Sequence, residues 1–238
     1  MKCLILAGGF ATRLYPLTVN RAKALLEFRG KPVITHIIER IPRHIDILVS
    51  TNRKFEADFA KWRQTLDRPV EICIEEAQTD EQKKGAVSAI DFWVKSKRIR
   101  EDLVVIAADN YFELDLNDLI QRFNGTNAVV AAYDVGDRDK ACEIGKRCQV
   151  GLAVIDNGRL IRLDEKPMEA TSSIVATGIY VLPARVFALL SRYCRESRRD
   201  NLGDFVAYLL GKEEVHVHVF KEAWIDIGDE IKRGRLSI

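Results

Sequence analysis

The chain has 238 residues, and 37 Lys and Arg stand against 35 Asp and Glu for a formal net charge of +2. With 47% hydrophobic and 30% charged residues, it can bury a core without disulfide or metal staples, and it is not held disordered by its own charge. The near balance of charge gives no support to a general nucleic-acid binder, which carries a basic excess.

Cys3 to Ala7 is a short apolar run followed by Gly8-Gly9, which reads as a buried parallel strand delivering a glycine-rich turn. That run is too short for a signal peptide or a membrane span, and no later stretch approaches the ~18 uninterrupted apolar residues a span needs. A soluble cytoplasmic protein with no membrane partner is expected. Pro32 to Ile41 has helical spacing, Ile45 to Ser50 reads as a strand, Phe55 to Leu66 as a helix and Val70 to Glu75 as a strand. Gly85 to Val94 is a helix, and Leu103 to Ala108 is a buried strand ending at Asp109. This alternation predicts an α/β layer fold around a mainly parallel sheet. Ligands in such sheets sit at the carboxyl ends of the strands, and both Gly8-Gly9 and Asp109-Asn110 fall there.

The second half mixes its elements. Ala128 to Val135 is a strand. Val150 to Ile155 and Leu160 to Asp164 form a hairpin turning at Asn157-Gly158. Ile174 to Leu182 is a strand, a helix starts at Pro183, Phe205 to Leu210 is helical, and Val215 to Phe220 is a strand. No linker, repeat or low-complexity segment interrupts the chain, so residues 1–238 read as a single domain. The five cysteines are scattered, odd in number and without a C-x-x-C pair. They read as free thiols of a reducing compartment rather than a disulfide framework.

Five motifs carry chemistry. The first is Gly8-Gly9-Phe10-Ala11-Thr12-Arg13, with Lys23 ten residues on. Glycines after a strand let backbone N–H groups approach an anion, Arg13 is a planar cation suited to phosphate, and Lys23 adds a point charge. By itself the turn fits an ordinary surface loop equally well. Neither a P-loop nor the G-x-G-x-x-G dinucleotide fingerprint is present. The second is Asp109-Asn110 at a strand end, where a carboxylate beside phosphates suits Mg²⁺, although Asp-Asn turns are common. The third is Trp224-Ile225-Asp226-Ile227-Gly228, whose Asp interrupts an apolar run and needs a cation or a hydrogen-bond network. The fourth is Glu165-Lys166-Pro167 at a strand end. The fifth is Thr177-Gly178 inside an apolar strand, where Gly178 points to close approach by a ligand.

This ordered set resembles the sugar-phosphate nucleotidyltransferases, the nucleoside-diphosphate-sugar pyrophosphorylases. It is most similar to the branch holding glucose-1-phosphate thymidylyl- and uridylyltransferases and mannose-1-phosphate guanylyltransferases. The match runs from Met1 to about Glu230. The resemblance implies a Rossmann-like three-layer α/β fold with a mainly parallel central mixed sheet, of the nucleotide-diphospho-sugar transferase type. It implies Mg²⁺-dependent, in-line transfer of a nucleoside monophosphate from an NTP (UTP, dTTP or GTP) to a sugar 1-phosphate, with pyrophosphate leaving. The attacking phosphate is already an anion, so no general base is required.

Carried over by residue, the resemblance makes Leu6, Ala7, Gly8, Gly9, Thr12, Arg13, Gly85 and Asp109 nucleotide-binding. It makes Asn110, Gly151, Glu165, Lys166 and Thr177 sugar-phosphate-binding. Arg13, Lys23 and Lys166 become the catalytic cations, and Asp109 and Asp226 the metal pair. The alternatives are transfer to another phosphorylated alcohol such as phosphocholine, and a non-catalytic nucleotide- or sugar-binding regulatory homologue. No nucleic-acid partner is expected, and a homo-oligomer stays open.

Three departures stand out: Ala108 replaces the family's usual Gly, Asp229 replaces a frequent Thr, and residues 78–84 do not match the Gln-Pro pattern of the thymidylyl branch. The chain ends soon after the third motif, so a C-terminal β-helix with acyltransferase activity is not expected. The remaining features read as bland. His216 and His218 are taken as exposed strand residues, and His36 and His44 as helix-surface ones. Arg192, Arg195, Arg198 and Arg199 read as a solvated helix end, and Asp137 to Lys140 as a mobile loop. A Cys142–Cys148 disulfide or metal site is not expected.

Overall fold

The computed structural model describes residues 1–142, 147–197 and 201–236. Strand β1 (Lys2–Leu6) runs into the glycine turn. A two-residue-per-strand ribbon, β2 (Glu27–Phe28) and β3 (Lys31–Pro32), leads to helix α1 (Val33–Arg40). There follow β4 (Asp46–Asn52), α2 (Glu56–Arg63), β5 (Glu71–Glu75), α3 (Ala86–Ser96) and β6 (Leu103–Ala107). Next come β7 (Asn110–Phe112), α4 (Leu116–Arg122), β8 (Ala128–Asp134) and α5 (Arg138–Ala141). The hairpin β9 (Gly151–Asp156) and β10 (Arg159–Glu165), then β11 (Ile174–Leu182), α6 (Phe187–Glu196), α7 (Leu202–Leu210) and β12 (Val215–Phe220) complete the main body. The described chain closes with β13 (Trp224–Asp226) and α8 (Ile227–Lys232).

Nine strands form one mixed sheet in the order β5-β4-β1-β6-β11-β8-β12-β10-β9. The first four are parallel neighbours. β11 runs against β6 and β8, β10 runs against β12 and β9, and β12 is parallel to β8. β9 also pairs with β11, so this end of the sheet curls back on itself. The alternation within β1 divides the core between two faces. Cys3 and Ile5 pack with Ile34, Ile37 and Ile38 of α1 and with Phe59 and Trp62 of α2. Leu4 packs with Val87, Ile90 and Trp93 of α3, Leu190 of α6 and Phe205 of α7. Helix, sheet and helix make the expected three layers. No helix among the described residues is long and apolar enough to cross a membrane.

Several expectations are corrected. Cys142 and Cys148 form a disulfide with their Cα atoms 4.8 Å apart, because β9 and the short α5 bring the two ends of the segment together. Cys3, Cys73 and Cys194 are free. The expected loop at Asp137 to Lys140 contains the α5 turn, and the Asp137 carboxylate caps it by accepting from the Asp139 N–H at 3.0 Å. His218 is buried at 8% exposure, and desolvation lowers its pKa. His216 pairs with Glu214 at 2.7 Å. His36 is half-buried, its Nε2 2.8 Å from the Phe28 carbonyl. Arg192 is ion-paired with Glu196 one turn on, and Arg198 and Arg199 lie outside the described residues.

Candidate active site

The carboxyl ends of β5, β4, β1 and β6 open into a crevice of about 560 Å³. The opening turn forms one wall, anchored by the buried Phe10 and by hydrogen bonds. The Ala7 N–H donates to the Ser50 carbonyl at 2.7 Å. The Asn52 amide donates to the Gly8 carbonyl at 3.2 Å, and the Thr18 hydroxyl to the Ala11 carbonyl at 2.8 Å. Ala11 adopts a left-handed conformation (φ 49°), which turns the chain from the glycines into the 3₁₀ turn that carries Arg13. Arg13 lies on the rim, donating to Gln149 Oε1 at 3.4 Å.

The floor is charged. Lys23 Nζ donates to Asp109 Oδ2 at 2.9 Å and stands 3.6 Å from Asp226 Oδ1. Residues 86 and 203 positions apart in sequence meet here because β7 continues directly from Asp109 and pairs with β13, placing Asn110 opposite Asp226. Asp226 also caps α8, accepting from the Asp229 N–H at 3.0 Å, while the Ile227 N–H donates to the Asp109 carbonyl at 3.2 Å. Gly228 supplies the room: a Cβ there would occupy the Lys23 ammonium position.

The electrostatics follow from this packing. The crevice walls raise the cost of charge on Asp109, but the Lys23 ammonium outweighs them and holds its carboxyl below the ordinary range. Burial and the neighbouring Asp109 charge push the Asp226 carboxyl up. Burial disfavours the charged Lys23, and the two carboxylates together raise its pKa. The ammonium thus offsets the charge of both carboxylates. Among the described residues no three His, Cys, Asp or Glu gather as a metal cluster. Mg²⁺ does not need three, since one or two carboxylates with phosphate and water complete its octahedron. The donor set of Asp109 and Asp226 fits that ion.

Most of the sequence-predicted residues line this one crevice: Leu6, Ala7, Gly8, Gly9, Thr12 and Arg13 of the turn, then Lys23, Gly85, Asp109, Lys166 and Asp226. Lys166 reaches it from a left-handed backbone (φ 48°) directly before Pro167, where sterics disfavour the helical regions. The disulfide-closed segment braces that turn. Arg147 Nε donates to the Lys166 carbonyl at 2.7 Å, and the Cys148 N–H to the Pro167 carbonyl at 2.9 Å.

Four predicted residues do not line the crevice. Asn110 is buried and donates to Asp109 Oδ1 at 3.1 Å, so it orients that carboxylate. Thr177 is buried and donates to the Ala131 carbonyl at 2.8 Å. Glu165 lies behind Lys166 at 3.5 Å, and a Cβ on Gly151 would stand 3.1 Å from its Oε2. Gly178 is explained by the protein itself. A Cβ there would meet the Ala107 Cβ at 2.9 Å and Asn110 Nδ2 at 3.3 Å, so the close approach is by β6 rather than by a ligand.

Sequence reasoning missed Ser50, Glu75, Gln149 and Lys232, which also line the crevice. Glu75 carried a signal, being a strand-end carboxylate like Asp109. Gln149 carried none.

The model of the nucleotidyl transferase family matches residues 2–230. A mannose-1-phosphate guanyltransferase of Pichia angusta is 27% identical over 236 residues, 96% of this chain and 61% of that protein. The bifunctional protein GlmU of Methanococcus maripaludis is 30% identical over 236 residues, 96% of this chain and 51% of its own. A UTP–glucose-1-phosphate uridylyltransferase of Haloferax volcanii is 29% identical over 212 residues, covering 86% of this chain and 79% of that one. The chain thus spans between half and two-thirds of the length of several curated relatives. Among solved structures, a Bacillus anthracis protein described as a glucose-1-phosphate thymidylyltransferase, with sucrose bound, superposes with a TM-score of 0.79 at 25% identity. That superposition covers 99% of this chain and 94% of its own. With the nine-stranded sheet, the crevice at its carboxyl edge and a family match over nearly the whole length, the chain belongs to the nucleotidyl transferase family.

Proposed function

We propose that the protein transfers a nucleoside monophosphate from a nucleoside triphosphate to a sugar 1-phosphate, releasing pyrophosphate, and that Asp109 and Asp226 hold Mg²⁺ for this reaction. The observation that carries the reading is the Lys23–Asp109–Asp226 constellation on the floor of a crevice rimmed by Arg13 and Lys166. Such a set serves phosphoryl chemistry, in which catalysis is positioning and charge neutralisation.

In this reading the backbone of Gly8 and Gly9 lies along the nucleotide, and Arg13 and Lys23 take its phosphate oxygens. Lys166 holds the sugar phosphate, with Glu165 behind it to orient the ammonium. An oxygen of the sugar phosphate attacks the α-phosphorus in line, the bond from that phosphorus to the bridging oxygen breaks, and pyrophosphate carries off the electron pair. Mg²⁺, when bound, neutralises charge on the transferring phosphate. Asn110 keeps Asp109 aimed at the metal position. The reading also takes residues 1–238 as one catalytic unit, supported by a single sheet that draws on strands from Lys2 to Phe220.

A panel of triphosphates against sugar 1-phosphates, with and without Mg²⁺, tests the proposal by pyrophosphate release. Turnover is expected only when all three components are present. Asp109→Asn and Asp226→Asn each lower kcat at least ~10²-fold while the far-UV spectrum stays unchanged. Nucleotide binding without turnover across the panel would overturn the catalytic reading in favour of a regulatory one.

A further inference from the structure

Strand β10 stops one residue short of Lys166. Its ladder with β9 ends at Glu165 opposite Gly151, and Lys166 then takes a left-handed backbone (φ 48°). That conformation is costly for a residue with a side chain and persists only where the surroundings impose it. Here the surroundings are two consecutive residues. Arg147 Nε donates to the Lys166 carbonyl at 2.7 Å, and the Cys148 N–H donates to the Pro167 carbonyl at 2.9 Å. Two neighbouring carbonyls are held by two neighbouring residues, which fixes the direction of the turn as well as its place.

The Cys142–Cys148 disulfide seats this pair. Its two cysteines pack with Ala141 of α5, Leu152 of β9 and Val175 of β11, so the crosslink ties Cys148, and with it the preceding Arg147, to the sheet. The same segment reaches the nucleotide rim. Gln149 Nε2 donates to the Arg147 carbonyl at 3.0 Å, and Gln149 Oε1 accepts from Arg13 at 3.4 Å. That link uses the backbone of Arg147, whereas Lys166 is held by its side chain. A substitution at Arg147 therefore separates the two.

We infer that Arg147 is a positioning residue for Lys166, and that the disulfide holding it makes sugar 1-phosphate binding depend on redox state. This rests on the reading of Lys166 as the sugar-phosphate cation and deepens it. Arg147 acts through its Nε–H bond and not through its charge. With the turn held, the Lys166 ammonium is already placed, and binding costs little further loss of freedom. With the turn released, the backbone leaves the left-handed region and each encounter must order it again. The release is a thiol–disulfide exchange with a dithiol. One thiolate of the dithiol attacks the Cys142 sulfur, since Cys142 is 9% exposed and Cys148 1%, and expels the Cys148 thiolate. The second thiolate attacks the mixed disulfide and expels the Cys142 thiolate. The dithiol ends as a cyclic disulfide, having given two electrons, and each cysteine takes up a proton.

The test measures KM and kcat for the sugar 1-phosphate and the triphosphate, and amide exchange over residues 164–169 without substrate, all on the full chain. In Arg147→Ala the KM for the sugar 1-phosphate rises at least ~5-fold, that for the triphosphate stays within about twofold, and the turn exchanges faster. A merely structural role would move both KM values. Arg147→Gln sets an N–H at the position of the arginine Nε without the charge, and it restores both the KM and the exchange. Cys142→Ala with Cys148→Ala keeps the Cys148 backbone N–H and raises the sugar 1-phosphate KM as Arg147→Ala does. The wild type, reduced until all five cysteines titrate as thiols, matches that variant. An unchanged sugar 1-phosphate KM in Arg147→Ala, an Arg147→Gln no better than Arg147→Ala, or a reduced wild type with the KM of the oxidised one would each overturn the inference. Should the variant without the crosslink not fold, the two Arg147 variants and the reduced wild type decide. A wild type that turns over no sugar 1-phosphate sinks the reaction instead, and the exchange series then decides alone whether Arg147 holds Lys166.

Discussion

Glu165 shows how a single buried group can oppose stability while serving a site. Its side chain is 14% exposed, and burial pushes its carboxyl above the ordinary range, with Lys166 pulling it back and Asp204 adding to the rise. Such a group binds protons more readily folded than unfolded. Stability therefore falls as pH climbs from the ordinary Glu value through the raised one, and the cost is complete above it. Glu165→Gln removes the charge and the cost together. At pH 7 this variant should melt above the wild type. The advantage should vanish below about pH 4.3. Thermal melts of both proteins across pH check this, and a variant that melts no higher than wild type at pH 7 sinks the burial argument. In the proposed reaction the same change should raise KM for the sugar 1-phosphate at least ~5-fold, which is why a stability cost would be retained at this position.

Gly178 carries the same reasoning to the scale of an element. The register of β11 against β8 shifts between Ala176 and Ile179, and Gly178 within that bulge has φ +77°. The irregularity lets β11 pass close to Ala107 and Asn110, the residues on either side of the Ala108-Asp109 step. A methyl group at Gly178 meets both a strained backbone conformation and a crowded wall, which together cost about 2–5 kcal/mol. Gly178→Ala should thus lower the urea midpoint markedly and turnover by more than tenfold. Adding Ala107→Gly should recover part of the loss, because it relieves the clash and not the φ strain. A wild-type midpoint in the single variant would show that the bulge does not support Asp109.

The same bulge marks the limit of what the residues disclosed. Long apolar runs such as Leu103 to Ala107 and Ile174 to Leu182 identify themselves. A three-residue pairing such as β7 with β13 has no period to read, yet it alone explains how Asp226 reaches Asp109. The disulfide escaped for a related reason: six residues of separation reveal nothing about whether two Cα atoms close to 4.8 Å.

For the whole molecule, the crevice draws on both extremes of the described chain. Leu6 to Leu14 and Lys23 come from its start, Gln149 and Lys166 from its middle, and Asp226, Asp229 and Lys232 from its end. A net charge of +2 conceals this gathering of cations and carboxylates, which exists only once the sheet has formed. A ligand that touches all three regions stabilises the folded state alone. At one hundred times its dissociation constant it adds ~2.7 kcal/mol, equivalent to about 5–11 °C in Tm. In the proposed reaction, chelation of Mg²⁺ should shrink the shift, because the triphosphate would then face Asp109 and Asp226 with only Lys23 between them. The distinguishing readout is where protection appears. α8 joins the crevice through Asp226 and the Asp109 carbonyl, so its amides should exchange more slowly when triphosphate and Mg²⁺ are both present, together with those of the Gly8-Gly9 turn. Slower exchange at the turn with no change over residues 227–232 would mean that the nucleotide stays on the N-terminal strands and that Asp226 is not a ligand in the bound state.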